Sequence, residues 1–460
     1  MYDPGNFFDE GVTADGMPKP AYADILRAFD SDPAQALATA ASLVREHEVV
    51  FGKGDAKQDF VLDPIPRIIE GEEWAGLERG LEQRAHALNA LLADVYGERR
   101  IVSEGVIPAR VIEGAEYFEP EMEGLVGLNA ATVVGFDLVR DTDGRFLVLE
   151  DNTRTPSGLA YAVAARHVSA ELFGSALGGV RSLDAVFDWL GEALREAAPD
   201  GIDDPAVILI TDGPENSAWY EHTVVAERIG VSLVQPDDLV VAGDELHFRD
   251  EEGGQRRADV VLRRTNADRV TEPAGGATWV GEKLYGPLRA GSIRMVNTFG
   301  SGLADDKLVY AYVPEAIRFY LGEEPLVAQI PTLDCAEPES LERIRRSGTE
   351  LVLKPRSESG GIGVVVGSQA SAEELAACVA LVEANPQDFI AQELVNFSSC
   401  PTVAGNEIAP RHVDLRAFAV CGRDRVRLMP GGLTRVALRE GSLIVNSGQG
   451  GGGKDTWVVT

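Results

Sequence analysis

Cysteine, histidine and basic residues are scarce in this chain of 460 residues. There are four cysteines and six histidines, and 42 Lys and Arg stand against 74 Asp and Glu, a formal net charge of −32. The cysteines are widely spaced and form no C-x-x-C pair, which argues against a zinc site or a disulfide framework and favours buried, reduced thiols. The negative field repels nucleic acid and anionic membranes, so a polyanionic ligand requires a local group of cations.

Long apolar segments are also missing. No run of 18 apolar residues occurs, and the N-terminal residues lack the basic and apolar parts of a signal peptide. We therefore expect a cytoplasmic protein that does not bind membranes. The composition, 45% hydrophobic and 25% charged, is typical of a soluble globular protein, and the length predicts two or three domains. The oligomeric state is left open, and a homo-oligomer is one option.

The residue pattern divides the chain into four expected regions. Residues 1–125 form a mainly helical N-terminal region, because apolar residues recur at helical spacing from Glu73 to Glu98. Residues 126–198 carry a hairpin and two following helices, the first from Leu159 to about Phe173. Residues 199–304 alternate strands and helices, a pattern that builds a parallel sheet with ligands at the carboxyl ends of its strands. Residues 305–460 combine helices, among them one from Lys307 to Leu321, with β-rich sequence.

The segment 135–152 is typical of a β-hairpin with acidic side chains on one face. Asp143-Gly144 predicts a two-residue turn, which places Asp137 opposite Glu150, with Asn152 further along the same face. Opposed carboxylates repel unless a cation lies between them, and oxygen ligands suit Mg²⁺ or Mn²⁺. The alternatives are a solvated polar face, or a three-residue loop with a bulge at Gly144 that turns Asp137 away from Glu150.

Residues 350–367 are predicted to be a strand, a glycine-rich loop and a second strand. Small residues let backbone amides approach phosphates, and Lys354 supplies a charge at the edge of the loop, which contains Ser359, Gly360 and Gly361. Because β-branched residues follow the glycines, the loop opens a strand and not a helix. That argues against a Walker P-loop or a dinucleotide-binding turn, although the tip of a glycine-rich hairpin explains the pattern equally well.

Further candidate ligands of a nucleotide follow downstream. The strand from Asp388 is interrupted by polar residues, and the positions that suit an adenine hinge and a ribose hydroxyl are Gln392, Glu393, Leu394 and Val395. Arg416 suits a transferring phosphate, because guanidinium binds oxyanions in a fork, but an ion pair with Asp414 is the alternative. Two glycine-rich stretches place three more residues where phosphates could be covered: Arg435, Asn446 and Lys454.

Polar positions also follow predicted strands of the parallel-sheet region. Asn216 follows the strand that begins at Ala206, and Arg263 or its neighbour Arg264 follows the strand that begins at Asp259. Side chains at such positions could face a substrate. Capping of a loop or a surface ion pair explains each of them at least as well.

Taken together, these segments resemble the circularly permuted type 2 branch of the ATP-grasp superfamily, over nearly the whole chain. The resemblance implies an α/β fold with α+β elements: a circularly permuted ATP-grasp fold with a Rossmann-like pre-ATP-grasp domain at 199–304 and an N-terminal helical region. It matches Asp137, Glu150 and Asn152 to metal ligands, Lys354 to the lysine before the glycine loop, and residues 392–395 to the hinge. Asp306-Lys307 with Ile330-Pro-Thr332 looks like the usual entry to an ATP-grasp unit.

The resemblance also implies a function. It predicts an ATP- and Mg²⁺-dependent ligase that joins a small-molecule or peptide carboxylate to an amine through an acyl phosphate. Lys307 would then contact the nucleotide, Arg416, Arg154 and Arg435 would act on the transferring group, and Ser157 and Gly158 would hold the substrate. The alternatives are a phosphotransferase on the same fold and a catalytically silent, nucleotide-binding regulator.

Overall fold

The computed structural model describes residues 2–127, 129–174, 178–250, 252–357, 362–442 and 451–460. The α-helices are α1 Ala23–Asp30, α2 Pro33–Glu46, α3 Gly71–Val95, α4 Arg100–Ser103, α5 Ala109–Glu113, α6 Leu159–Phe173, α7 Ala185–Glu196, α8 Trp219–Ile229, α9 Gly286–Arg289, α10 Lys307–Ala311, α11 Val313–Leu321, α12 Pro338–Ser347 and α13 Ala372–Ala384. The strands are β1 Val50–Phe51, β2 Gln58–Asp59, β3 Leu62–Glu70, β4 Val133–Arg140, β5 Phe146–Asn152, β6 Val207–Thr211, β7 Ser232–Val234, β8 Leu239–Ala242, β9 Glu245–Arg249, β10 Gln255–Ala258, β11 Val260–Arg264, β12 Arg294–Val296, β13 Thr332–Asp334, β14 Leu351–Pro355, β15 Val365–Val366, β16 Phe389–Glu393, β17 Ser399–Ala404, β18 Glu407–Cys421, β19 Val426–Leu428, β20 Leu433–Val436 and β21 Gly452–Val459.

The largest sheet joins strands that are far apart in the sequence. Its order is β3-β21-β20-β18-β4-β5, and β17 and β19 also pair with β18. β3 and β21 are parallel, with Gly453 opposite Leu62, and the other neighbours along this order are antiparallel. The hairpin β4–β5 therefore extends a sheet whose other strands, apart from β3, come from beyond residue 398.

A four-stranded parallel sheet has the order β12-β11-β6-β7. The helix α8 leads from β6 to β7 on one side, whereas β11 pairs with β6 on the other side. The strand order thus reverses between β6 and β11, and crevices at such points are where open α/β sheets bind ligands. This is the parallel sheet that the alternating pattern of residues 199–304 predicts.

A smaller antiparallel sheet, β13-β16-β14-β15, packs on α12 and α13 around a core that includes Ile344, Leu353 and Val382. The segment before it is tied to the hairpin β4–β5. The N–H of Val148 donates to Ala328 O at 2.9 Å, and the N–H of Ile330 donates to Val148 O at 3.0 Å. The hairpin and the small sheet therefore lie side by side.

Most predicted helices form at the predicted residues, and α6 has the predicted bounds, Leu159–Phe173. The predicted helix from Lys307 to Leu321 is instead divided at Tyr312, because Pro314 has no N–H and fits only the first turn of a helix. The four cysteines are free and buried, as predicted. Among the described residues, no helix is both long enough and apolar enough to cross a membrane.

Candidate active site

The tip of the hairpin β4–β5 is a three-residue loop. The N–H of Asp141 donates to Arg145 O at 3.0 Å, which leaves residues 142–144 as the loop, and Gly144 has a φ of +79°. The predicted two-residue turn is therefore wrong. Near the tip the pairing is shifted by one residue from the predicted register, as a loop with an additional residue requires.

A second irregularity restores the predicted pairing further along the hairpin. Leu138 pairs with Val148 whereas Asp137 pairs with Glu150, so Leu149 is an extra residue on β5. This β-bulge cancels the shift at the tip. Asp137 thus lies directly opposite Glu150, which confirms the predicted pairing, and Asn152 lies two residues further along β5.

The carboxylate of Asp137 is buried and bound by two arginines. Arg416 Nε and Nη2 donate to its two oxygens at 2.6 and 2.7 Å, and Arg435 Nη2 donates to Oδ2 at 2.8 Å. Burial alone would raise the pKa of Asp137, but the charges of Arg416 and Arg435 outweigh it and hold the pKa well below its usual range. Arg435, and not Arg416, also pairs with Asp414. The two arginines predicted to act on a phosphate therefore meet at a predicted metal ligand.

Glu150 lies near the lysine of the glycine-rich loop. Burial lowers the pKa of Lys354, the negative charge of Glu150 opposes this, and the positive charge of Lys307 adds to it. These three residues come from β5, β14 and the first residue of α10. Glu150 of the acidic hairpin and Lys354 are about two hundred residues apart in the chain. Their charges nevertheless interact in the folded protein.

Lys354 is held by a predicted hinge residue. Its ammonium donates to Gln392 Oε1 at 2.5 Å, and Gln392 Nε2 donates to Thr332 Oγ1 at 3.0 Å. Glu393 forms an ion pair with Arg343. The contacts of Lys354, Gln392 and Thr332 join the neighbouring strands β14, β16 and β13.

The rest of the hinge is bonded to its own sheet. The N–H of Glu393 donates to Pro331 O and the N–H of Leu394 donates to Glu350 O, both at 3.0 Å. Val395 follows directly. Four predicted ligands of the nucleotide lie outside the described residues, and their roles stay predictions: Ser359, Gly360, Gly361 and Asn446.

Lys454 occupies a different environment from the predicted flexible one. It lies on β21 with no exposed surface, and its ammonium contacts Asp63, Ile65 O at 3.0 Å and Pro401 O at 2.8 Å. All three of its donors therefore have protein partners. This lysine joins β21 to β3 and β17, and we do not include it among the nucleotide ligands.

A polar pocket of about 150 Å³ lies at the carboxyl ends of β6 and β11. Its lining includes Arg154, Ser157, Asn216, Arg264 and Asp268. Arg154, which is predicted to act on the transferring group, thus lies together with two predicted substrate residues, Ser157 and Asn216, although the three belong to two different regions of the sequence. Of the two arginines at the end of β11, Arg264 lines this pocket, whereas Arg263, which is the predicted substrate residue, is 1% exposed beside it.

The side chains of this pocket already have polar partners. Asn216 Nδ2 donates to Asp212 Oδ2 at 2.9 Å, and its Oδ1 accepts from the N–H of Ala218, so it also fills the capping role that was its alternative. Arg154 Nε lies 3.1 Å from Asp268 Oδ2, and its guanidinium lies 4.2 Å from the Tyr117 ring centroid.

Gly158 contacts a protein carboxylate. Its N–H and that of Ala160 donate to Glu221 Oε2 at 2.8 and 3.0 Å, while Arg264 Nη2 donates to Glu221 Oε1 at 2.8 Å. Glu221 therefore satisfies the start of α6 and holds Arg264 in place. Arg264 also donates to Ser157 Oγ at 2.7 Å.

The sequence reasoning missed Glu221 and Asp268. Glu221 lies inside the amphipathic helix α8, where a single acidic residue resembles any solvated position. Asp268 lies in the loop after β11. Its position shortly after a strand of the parallel sheet was the one signal in the sequence that could have pointed to a role in the site.

The predicted metal ligands suit a hard cation. Among the described residues, no group of three or more His, Cys, Asp or Glu side chains is placed to hold a metal. Asp137, Glu150 and Asn152 offer two carboxylates and one amide, all oxygen donors. Mg²⁺ is commonly bound by one or two carboxylates together with phosphate oxygens and water, so this donor set fits a cation that arrives with a nucleotide.

Residues 66–437 match the family model described as circularly permuted ATP-grasp type 2. The chain belongs to this family. An uncharacterised protein of Mycobacterium tuberculosis (strain H37Rv) is 41% identical over 98% of this chain and 84% of its own length, and one of Synechocystis sp. is 40% identical over 100% and 98%. The resemblance predicted from the motifs is thus confirmed at the level of the family.

One relative carries a provisional enzyme name, glutamate--cysteine ligase 2-2 of Frankia casuarinae. It is 41% identical over 98% of this chain, but the match spans only 53% of that protein. Among solved structures, a glutathione synthetase-like effector from Globodera pallida superposes with a TM-score of 0.61, 11% identity, and coverage of 93% of this chain and 98% of that one. This likeness supports the mixed α/β, ATP-grasp type of fold for this family member.

Proposed function

We propose that the protein is an ATP-dependent ligase that joins a carboxylate to an amine through an acyl phosphate. The observation that carries the proposal is that the hairpin β4–β5 is hydrogen-bonded through Val148 to Ala328 and Ile330, next to the small sheet that bears Lys354. The charges of Glu150 and Lys307 accordingly act on Lys354. The ligase name of the Frankia relative agrees with this reaction class. The small sheet and the hairpin β4–β5 then form the two walls of a nucleotide cleft.

We assign the following roles to residues of this chain. Lys354 and Lys307 bind phosphate oxygens, and Arg416 and Arg435 neutralise the charge that develops on the transferring group. Asp137, Glu150 and Asn152 would hold Mg²⁺ or Mn²⁺, which supplies further positive charge to the phosphates when bound. Little covalent chemistry is required of the protein.

The proposed reaction has two steps. An oxygen of the substrate carboxylate attacks the γ-phosphorus of ATP, the bond to the bridging oxygen breaks, and ADP leaves. The uncharged amine nitrogen then attacks the acyl carbon and loses a proton, the carbon–oxygen bond breaks, and phosphate leaves with its electron pair and takes up the proton. Arg154 lies two residues after Asn152, where it can face the acyl group.

The test is phosphate release by the purified protein with ATP, Mg²⁺ and panels of carboxylates and amines. A carboxylate labelled with ¹⁸O should deliver one label to the released phosphate, because its oxygen leaves with the phosphoryl group. Phosphoryl transfer to a hydroxyl would deliver none and would point to a phosphotransferase. Binding of ATP without any turnover would point to a regulator and count against the ligase.

A variant links the test to the carrying observation. Lys354→Met keeps the aliphatic stem and removes the charge, so we expect the KM for ATP to rise by about 10- to 100-fold. Lys57→Met, at an exposed position, is the matched control. Equal KM values for the two variants would contradict the assignment of Lys354 to the nucleotide.

A further inference from the structure

The polar pocket at β6 and β11 contains charges of both signs. Arg154 and Arg264 line it together with Asp268, and Arg154 Nε lies 3.1 Å from Asp268 Oδ2. The remaining walls are mostly neutral, including His222, which is buried and hydrogen-bonded to Thr211 Oγ1 at 2.8 Å. Burial and the charge of Arg264 lower the pKa of His222 to about 2, so it is uncharged at neutral pH.

A buried guanidinium next to the pocket lacks full compensation. Arg263 is 1% exposed, and among the described residues its Nε and Nη2 have no hydrogen-bond partner. Burial lowers its pKa to about 10, so it still carries a charge at neutral pH, and it interacts with the charges of Asp268 and Arg154. An additional carboxylate nearby would offset this buried positive charge.

The position of the pocket connects it with the phosphoryl-transfer site. Thr211 and Arg264 are register partners at the carboxyl ends of β6 and β11, between which the strand order reverses. On the other side the pocket is bounded by the loop that follows Asn152. Arg416 Nη1 donates to Ser157 O at 3.3 Å, so this loop touches the arginine that is expected to act on phosphate.

We propose that this pocket binds a small zwitterionic amino acid as one of the two substrates, with its carboxylate toward Arg154 and Arg264 and its ammonium toward Asp268. The inference rests on the proposed function, for which it names the class of one substrate. The pocket volume of about 150 Å³ is below the about 300 Å³ at which pockets for drug-sized ligands begin.

The ion pair between Arg154 and Asp268 explains the preference for a zwitterion. A ligand with both charges gives each member of the pair a new partner, so neither charge is left alone. A plain carboxylate would leave Asp268 without its arginine, and an uncompensated buried charge is costly. A plain amine would take Asp268 from Arg154, whose other carboxylate, Asp305, is more distant at 3.9 Å. The same argument disfavours a neutral ligand.

The experiment measures binding calorimetrically for each proteinogenic amino acid, with and without a non-hydrolysable ATP analogue and Mg²⁺. For an amino acid that binds, the wild-type protein is then titrated with the analogue that lacks the amino group and the analogue that lacks the carboxylate. We expect both to bind at least about tenfold more weakly. Equal affinity for either analogue, or no binding by any amino acid, would overturn the proposal.

Variants locate the binding in this pocket. Asp268→Asn should weaken binding of the amino acid by about tenfold or more, whereas the analogue without an amino group should bind this variant as tightly as it binds the wild type or more tightly, because no buried negative charge is left unpaired. Asp203→Asn, at an exposed position, is the matched control and should change neither affinity. An unchanged affinity of Asp268→Asn for the amino acid would refute the placement, and if that variant does not fold, the two analogues decide on the wild-type protein.

The outcomes separate this inference from the proposed function. Amino-acid binding that depends on Asp268, without any ATP turnover, supports the pocket and counts against the ligase. If phosphate release requires an amine and a carboxylate and neither is an amino acid, the result supports the ligase and overturns the pocket assignment.

Discussion

Arg416 and Asp137 lie directly opposite each other on β18 and β4, and two hydrogen bonds of 2.6 and 2.7 Å join the guanidinium to the carboxylate. In the proposed function, the carboxylate of Asp137 binds the metal cation and the guanidinium of Arg416 binds the transferring phosphate. The two partners thus satisfy each other in this arrangement. Nucleotide binding therefore has to loosen the pair, and Arg435, which also contacts Asp137, is placed to share the change.

Replacement of Arg416 by alanine should remove charge stabilisation at the transferring phosphate. We expect Arg416→Ala to lower kcat by about 100-fold or more, as the loss of a preorganised donor does in other active sites. Steady-state phosphate release measures this. Arg425→Ala, with a side chain that is 59% exposed, is the control and should retain full activity. A wild-type kcat for Arg416→Ala would show that the arginine only pairs with Asp137.

Glu150→Gln removes one negative charge with almost no change of shape. Because Glu150 is half-buried on an edge strand, we expect the melting temperature to stay near that of the wild type, while most ATP turnover is lost and more Mg²⁺ is needed for half-maximal rate. Asp143→Asn at the hairpin tip, where the side chain is 70% exposed, provides the comparison. An unchanged Mg²⁺ dependence in Glu150→Gln would end the assignment of Glu150 as a metal ligand.

Lys454→Met tests the structural role that the contacts of Lys454 indicate. The change leaves Asp63 buried without its cation, so the free energy of unfolding should fall by about 3–5 kcal/mol. Chemical denaturation measures the difference, and Lys57→Met, at an exposed position, should be nearly neutral. If Lys454→Met were as stable as the wild type but had a raised KM for ATP, the lysine would be a nucleotide ligand after all.

Asp305 should make stability depend on pH between about 4 and 6. Burial raises its pKa to about 6, although the charge of Arg154 and the hydrogen bonds that Thr153 donates act to lower it. The folded state therefore keeps the proton of Asp305 to higher pH than the unfolded state, so the free energy of unfolding decreases as pH rises through this window. Because the side chain is 21% exposed, we expect about 1–2 kcal/mol and not the full value of the shift.

Asp305→Asn removes this titration while keeping an oxygen for Thr153. Its unfolding free energy should fall less between pH 4 and 6 than that of the wild type, in denaturant titrations at each pH. Parallel curves for the two proteins would mean that Asp305 titrates normally.

The sequence was sufficient for elements with strong local signals. The pattern of apolar residues was enough to predict the helix at 159–173 and the strands of the parallel sheet near Asn216. Tertiary contacts do not override these local preferences. The pairing of Asp137 with Glu150 was also predicted, but for an incomplete reason. Asp143-Gly144 did not show the third loop residue, and nothing in the apolar run of β5 marks Leu149 as a bulge, so two errors of one residue compensated each other.

Long-range partners were beyond the reach of the sequence. Glycines around Lys454 suggested a mobile phosphate cover, whereas its environment is set by Asp63, nearly four hundred residues earlier in the chain. The distinction between Arg263 and Arg264 depends on which face of β11 meets the loop after Asn152, and that loop belongs to another region. Such contacts arise from the arrangement of sheets, which motif spacing does not encode.

The pairing of β3 with β21 constrains the order of events during synthesis. Among the described residues of the large sheet, the strand at 62–70 pairs only with the strand at 452–459, so its edge stays unpaired on a nascent chain until nearly four hundred further residues have left the ribosome. Closing contacts of such sequence separation is slow, and an unpaired strand edge invites association with other chains. Chaperone dependence during production is therefore a physical expectation of this topology.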